Sequence, residues 1–330
     1  MLPNSFFKYI ARSLVLISAV FVLPMAHAGE APYPSKPIRL IVPATPGAGT
    51  DVIGRVLAQK FADSWGVRMV ADNRPGAAGT LGTAIAARAP ADGYTLVMGA
   101  IGSHAAAQGL YPQLPYDPLR DFAPVVLVAR APSGLLINAT LPAKSVKELI
   151  ALAKASPGKL AHGSGLDGTP AHLASEMFLH AAGIKMLRVP YKGPAQAMTA
   201  IAMGEVNMAI QGLLTAMPFV QGGKVRLLAT TGTRRWSELP DVPTVAEAAL
   251  PGFEFYLWYG VLAPAGTPRA IVNKLNAEIA RITALPDVMD LLRTQGVEIA
   301  TGSADEFARF LQQEVSRWKK VIAETGLRGE

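Results

Sequence analysis

Residues 37 to 100 alternate short apolar runs with segments whose apolar positions recur at helical spacing. Ile38-Arg39-Leu40-Ile41-Val42 reads as a strand, and Val52, Ile53, Val56, Leu57, Phe61 and Trp65 fall on one helix face. Met69-Val70 starts a second strand, a helix with Leu81 and Ile85 turned inward follows, and Tyr94 to Met98 is a third strand. Strands separated by helices in this way predict βαβ units in a mostly parallel sheet.

The rhythm recurs further on. Gly134 to Asn138 reads as a strand, and Ser145 opens a helix carrying Val146, Leu149, Ile150 and Leu152. A helix from Pro170 to about Ala182 ends at Gly183, and another from Pro194 to Met203 ends at Gly204, both suited to the left-handed residue that closes a helix. Val225 to Thr230 is a further strand. The C-terminal part is helical. Thr267-Pro268 predicts an N-cap with proline in the first turn, before Ile271, Leu275 and Ile279. Ser303 and Glu306 have capping-box spacing, ahead of an apolar face of Phe307, Phe310, Leu311, Val315, Trp318 and Ile322.

The first 28 residues follow a different pattern. Lys8 and Arg12 precede the apolar run Leu14 to Leu23, Pro24 breaks it, and Ala26-His27-Ala28 supplies an A-x-A site. That is a cleavable secretory signal, with an uncleaved anchor as the alternative. The run is shorter than the roughly 20 apolar residues a bilayer span needs. The expected location is therefore the periplasm.

A mature chain of about 300 residues is long enough for two domains with separate cores. Cysteine is absent, which excludes disulfides, thiol nucleophiles and thiolate metal sites. The net charge of +7 falls to +5 once Lys8 and Arg12 are removed with the signal. The basic residues are scattered, so no nucleic-acid-binding stripe is expected. The field suits small anions or serves solubility alone.

Three strand-to-helix junctions are rich in glycine: Pro43 to Asp51, Asn73 to Thr80, and Gly163 to Pro170. Glycine lets the backbone approach a ligand closely, and a helix start offers unpaired N–H groups with partial positive charge. In open parallel sheets such junctions lie at the carboxyl ends of strands, where ligands bind. Each turn alone fits a plain capped connection, with Asp51 or Thr169 as the cap. Three together point to an anion site. Rival chemistry lacks its residues. Gly47-Ala48-Gly49 has Val52 where a dinucleotide fingerprint needs its third glycine, and no Walker A or G-x-S-x-G pattern occurs. His104, His162, His172 and His180 lack metal-motif spacing, and His172 reads as a polar residue at a helix start. No catalytic residues, no metal and no cofactor are expected; binding outranks catalysis.

A series of motifs runs in order along the chain: Val42-Pro43 through Gly47-Ala48-Gly49-Thr50-Asp51, Asn73-Arg74-Pro75-Gly76, Asp92 to Leu96, Tyr116-Asp117-Pro118 and Asp121 to Val125. The series continues in Val189-Pro190-Tyr191-Lys192-Gly193, Gly223 to Arg226, Leu239 to Thr244, Trp258 to Val261 and Ala263 to Pro268. In these motifs the chain resembles the extracytoplasmic substrate-binding receptors of tripartite tricarboxylate transporters, the Bug family. The resemblance implies an α/β, two-lobed periplasmic binding-protein fold, type II-like, with two crossing strands and a ligand cleft between the lobes. The chain would leave lobe 1 near Val125 and return near Phe255 to Leu262. The implied division is 1–28 signal, 29–126 plus 253–330 lobe 1, and 127–252 lobe 2.

By the same resemblance a ligand carboxylate is held by loop amides and small hydroxyls. The implied contacts are Ala44, Thr45, Gly47, Ala48, Gly49, Thr50 and Asp51 in the first loop, Ser103 after the third strand, and Ser164, Thr169 and Gln211 in lobe 2. Relatives usually carry an aromatic residue where this chain has Ala44, and many carry Asp where it has Gln211. These departures imply a ligand larger than a short amino acid and without a primary ammonium group. The implied role is a monomeric receptor that passes a small organic carboxylate to a two-subunit membrane permease or a sensor. The alternatives are a carboxylate-processing enzyme on a similar fold and a structural envelope protein. Cleavage is expected after Ala28. Intact mass of the periplasmic protein checks this, and a mature chain that retains the leader would make it an anchor.

Overall fold

A computed structural model describes residues 33–294 and 296–329; the expected signal segment lies outside them. The chain begins with β1 (Ile38–Val42), α1 (Gly49–Trp65), β2 (Met69–Asn73), α2 (Thr80–Ala87) and β3 (Thr95–Gly99). A 17-residue strand, β4 (Phe122–Asn138), leads to α3 (Val146–Ala155), β5 (Ala161–Gly165), α4 (Pro170–Ala182) and β6 (Leu187–Tyr191). Next come α5 (Pro194–Met203), β7 (Met208–Gly212), α6 (Leu213–Gln221) and β8 (Val225–Thr230). The chain closes with β9 (Tyr256–Pro264), α7 (Arg269–Thr283), α8 (Pro286–Thr294), β10 (Glu298–Ile299) and α9 (Ala304–Thr325).

The strands form one curled sheet in the order β2-β1-β3-β9-β4-β7-β5-β6. Both ends are parallel, β2-β1-β3 and β7-β5-β6, as the βαβ rhythm requires. The middle is antiparallel, and β4 is shared by the two ends. Its first part, Phe122 to Pro132, pairs with β9, while Ser133 to Asn138 pairs with β7 and β8. This is the two-lobed periplasmic binding-protein architecture. Gly134 to Asn138 is thus the end of a longer strand, and the change of partners comes at Pro132–Ser133. A register shift at Pro124 accommodates a proline that cannot donate to a ladder, and a second shift falls between Leu127 and Ala129.

Two local expectations change. Leu81 and Ile85 are 57% and 40% exposed, while Gly82, Thr83, Ala84 and Ala86 face inward. The cause is close packing: a Cβ on Gly82 would lie 2.5 Å from the Arg74 carbonyl and 3.1 Å from Pro43. Only small residues fit that face. Helix α7 begins at Arg269 with Pro268 as its cap residue, because the Thr267 hydroxyl turns back to donate to the Pro264 carbonyl. The Ser303–Glu306 capping box forms as expected, and Gly183 and Gly204 close their helices at φ 61° and 79°.

Helix α9 seals the antiparallel part of the sheet with Phe307, Leu311, Val315, Trp318 and Ile322. Trp258 packs edge-on against Phe307 and Phe310, and its indole N–H donates to Glu314 at 3.1 Å. Gly260 lies directly under the Phe307 ring, with no room for a side chain. Gly260→Ala should lower stability by about 1–3 kcal/mol through overpacking. Chemical denaturation checks this, and an unchanged midpoint would show that the ring moves freely.

Candidate functional site

A cavity of about 440 Å³ lies where the loops at the carboxyl ends of the strands meet. Six chain segments that open helical turns surround it. They are Ala48-Gly49-Thr50 at α1, Ala77-Ala78-Gly79 before α2, the wide turn from Ile101, Thr169-Pro170-Ala171 at α4, Gly193-Pro194 at α5, and Gly212 with Leu214 at α6. First-turn N–H groups have no partner inside their own helix, and prolines at Pro170 and Pro194 sharpen two of these starts. No acidic side chain lines the cavity, and Lys192 is the one charged residue among its lining residues. Pro43, Pro75, Ile101, Leu166, Leu214, Leu257 and Trp258 add apolar wall.

Of the residues expected at the site, Ala44, Thr45, Ala48, Gly49, Thr50, Ser103, Thr169 and Gln211 line this cavity. Gly47, Asp51 and Ser164 do not, and each has another task. The buried Asp51 carboxylate accepts from the Gly47 amide at 2.9 Å, from Arg55 at 2.9 Å and from the Asn73 amide at 2.8 Å. Burial pushes its pKa up, but the bonds from Arg55, Gly47 and Asn73 outweigh burial and hold it below the usual carboxylate value. Asn73 also donates to the Ala44 carbonyl at 3.1 Å. Asp51 therefore braces the first loop, its carboxylate already occupied by three donors. Ser164 is buried, donates to the Gly165 carbonyl and accepts from Arg188.

Thr169 occupies the cap position of α4, but its hydroxyl donates to the Leu166 carbonyl at 2.6 Å. Its proton is engaged within the loop, so the amides beyond Pro170 are the donors left for a ligand. Ser103 bonds His104 Nδ1 at 2.9 Å. Gln211 is different: it is 4% exposed, lies at the end of β7, and its amide nitrogen has no hydrogen-bond partner among the described residues. Tyr259 places its hydroxyl against Gly49, and burial pushes its phenol up, so it keeps its proton as a donor.

Sequence reasoning counted the second glycine-rich turn among the three that point to an anion site but named none of its residues as contacts. Pro75 to Gly79 lines the cavity, and Ala77 and Ala78 hold left-handed backbone at φ 44° and 52°. Such strain in residues with a side chain costs roughly 1–2 kcal/mol each, and it concentrates at functional sites. The glycines of Asn73 to Thr80 were the available signal. The Tyr191-Lys192-Gly193-Pro194 segment was also missed; glycine before a proline-started helix marks it.

The two ends of the sheet touch around the cavity. The Tyr111 hydroxyl donates to the Asp167 carbonyl at 3.3 Å, and a Cβ on Gly102 would lie 2.8 Å from the Gly168 carbonyl. Gly193 approaches Thr45 in the same way, 3.7 Å from a Cβ to the hydroxyl. Among the described residues no group of three or more His, Asp or Glu is placed to hold a metal, and no helix is long and apolar enough to cross a membrane.

This architecture and cavity belong to a solute receptor of the periplasmic binding-protein class. Residues 53–327 match the model of the tripartite tricarboxylate transporter family receptor, and the chain belongs to that family. Its sequence is 36% identical to protein BugT of Bordetella pertussis, over 89% of this chain and 90% of that protein. Its structure is similar to that of Rpa4515 from R. palustris with adipate, at 37% identity and TM-score 0.86, covering 90% of this chain and 99% of that one. It is also similar to MatC from Rhodopseudomonas palustris with bound malate, at 32% identity and TM-score 0.82, covering 88% and 100%. Receptors of this family are periplasmic.

Among the described residues three histidines, His104, His162 and His172, are buried. Burial holds His104 at about 3, and burial with the nearby Arg188 charge holds His162 and His172 at about 4, against an ordinary value of 6.5. Between pH 6.5 and about 4 the unfolded chain binds protons that these folded histidines refuse. Their contribution is complete above that window, and stability falls as pH drops through it, by up to about 1.4 kcal/mol per pH unit for each histidine. Glu176, pushed up by burial, opposes this trend. Melting temperature should decline from pH 7 to 4.5, as thermal melts at constant ionic strength would show; a flat profile would contradict neutral buried imidazoles.

Proposed function

We propose that this receptor binds a small organic carboxylate in the cavity and closes around it. The carboxylate accepts from the helix-start amides near Gly49-Thr50 and Ala171, and the carbon skeleton lies against Leu166, Leu214, Leu257 and Trp258. The observation that carries this reading is Gln211: a buried amide nitrogen without a partner among the described residues, in a cavity ringed by helix starts and lacking an acid. Such donors favour an anion that accepts from them. The adipate and malate bound by similar receptors are ligands of this chemical kind. A primary ammonium would find no carboxylate here, so amino acids are disfavoured.

The lobes are 29–126 plus 253–330 and 127–252, with β4 crossing between them, and the contacts of Gly102 with Gly168 and Thr45 with Gly193 belong to the closed form. A ligand that touches both lobes favours that form. The mature chain works in the periplasm, released by signal cleavage, and hands its ligand to a membrane permease or a sensor. No catalytic constellation lines the cavity, which favours a receptor over an enzyme.

A thermal-shift panel of aliphatic dicarboxylates, aromatic acids and amino acids tests the reading, since a bound ligand raises the melting temperature with concentration. The carboxylates should shift it and the amino acids should not. Gln211→Met should weaken the best acid by about tenfold, the value of a hydrogen bond to a charged group. The ligand-free protein should melt no lower, because the substitution removes an unpaired buried amide. Equal affinity, or a shift produced by amino acids alone, would overturn the reading.

A further inference from the structure

The loop Gly165 to Thr169 has two faces. Gly165, Leu166 and Thr169 line the cavity on one side. The Asp167 carbonyl and Gly168 meet the opposite lobe: Asp167 accepts from Tyr111, and a Cβ on Gly168 would lie 2.9 Å from Leu110 and 3.1 Å from Ala78. Ligand and closure therefore read the same five residues. Beyond Gly165, which ends β5, residues Leu166 to Thr169 have no regular structure, and Gly168 holds φ at +73°.

Behind the loop stands Arg188 on β6. Its Nη1 lies 2.6 Å from the Asp167 carboxylate, its Nη2 donates to the Gly165 carbonyl at 3.0 Å, and its Nε donates to the Ser164 hydroxyl at 3.3 Å. These contacts reach three consecutive parts of the β5-to-α4 connection. Beside it, neutral His172 accepts the Gly168 N–H on Nδ1 at 3.1 Å. Arg188 is not among the cavity's lining residues.

We propose that Arg188 is a positioning residue for ligand binding: its guanidinium fixes the Gly165–Thr169 loop so that the start of α4 faces the ligand and Gly168 seats on the other lobe. The inference rests on the carboxylate reading above and adds a residue that touches neither ligand nor opposite lobe. A partly exposed ion pair alone contributes about 0–1 kcal/mol. The planar fork is what matters, because it meets a carboxylate, a carbonyl and a hydroxyl at once. Lysine presents a single point charge on a flexible stem and cannot hold all three.

The test uses the mature chain and its Arg188→Lys and Arg188→Met variants. Adipate, hexanoate, malate and benzoate are the calorimetric probes, and the best binder to the wild type is carried forward. Hydrogen exchange is measured on the ligand-free proteins. Both variants should weaken that probe by at least about tenfold, the cost of misplacing donors to a charged group. Arg188→Lys should keep the wild-type melting temperature, which a merely structural role would not separate from affinity. The amides of residues 165–169 and 171–172 should exchange about tenfold faster in Arg188→Met, a local opening, with α9 unchanged. Wild-type affinity in Arg188→Lys, or unaltered loop exchange in Arg188→Met, would overturn the proposal. If no acid binds the wild type, the carboxylate reading fails, and the exchange result alone decides whether Arg188 holds the loop.

Discussion

First-turn backbone N–H groups, which have no partner inside their own helix, are the constraint on which this molecule turns. Helices α1, α4, α5 and α6 all begin at one cavity, and the strained turn before α2 joins them. A buried N–H without an acceptor is costly, and several aimed at one point add a positive potential. No acidic side chain is present to answer it. The parallel ends of the sheet make this convergence possible, since every βα junction there falls on the same side. The antiparallel centre, with β4 shared, brings the two sets of junctions face to face.

Holding those starts in place falls to residues outside the cavity. Asp51, Asn73 and Arg55 tie the first loop to the end of β2, so that two sequence motifs far apart in the chain act as one brace. The small inward face of α2 lets it pack against Arg74 and Pro43, which positions Ala77 and Ala78 in their unusual conformation. In the other lobe Arg188 and His172 serve the loop before α4. A carboxylate near this cavity is useful only where amides and a guanidinium already neutralise it, as at Asp51.

The architecture was largely legible. Period-two and helical patterns located β1, α4, α5 and β8, and capping chemistry located α9, because local backbone preferences and burial agree there. The inversion of α2 was not legible, since the burial of Gly82 in place of Leu81 depends on how close Pro43 and Arg74 come. Nor was the start of α7, where Thr267 bonds backward instead of capping. At the site, the glycine-rich turns announced the right loops but not the division of labour within them. Asp51 and Ser164 sit in those turns and face away from the cavity; only three-dimensional contacts separate them from Gly49 and Thr50. Gln211 is recognisable as unusual only once its burial and its missing partner are known.

The most direct test of the account is an amide NMR titration of the isotope-labelled mature protein with the carboxylate it binds best. The account predicts that the largest downfield amide shifts fall on Gly49, Thr50, Ala171 and the first turn of α6, in both lobes and at the same ligand concentration. Shifts confined to one lobe, or to surface lysines with the helix-start amides unmoved, would contradict it.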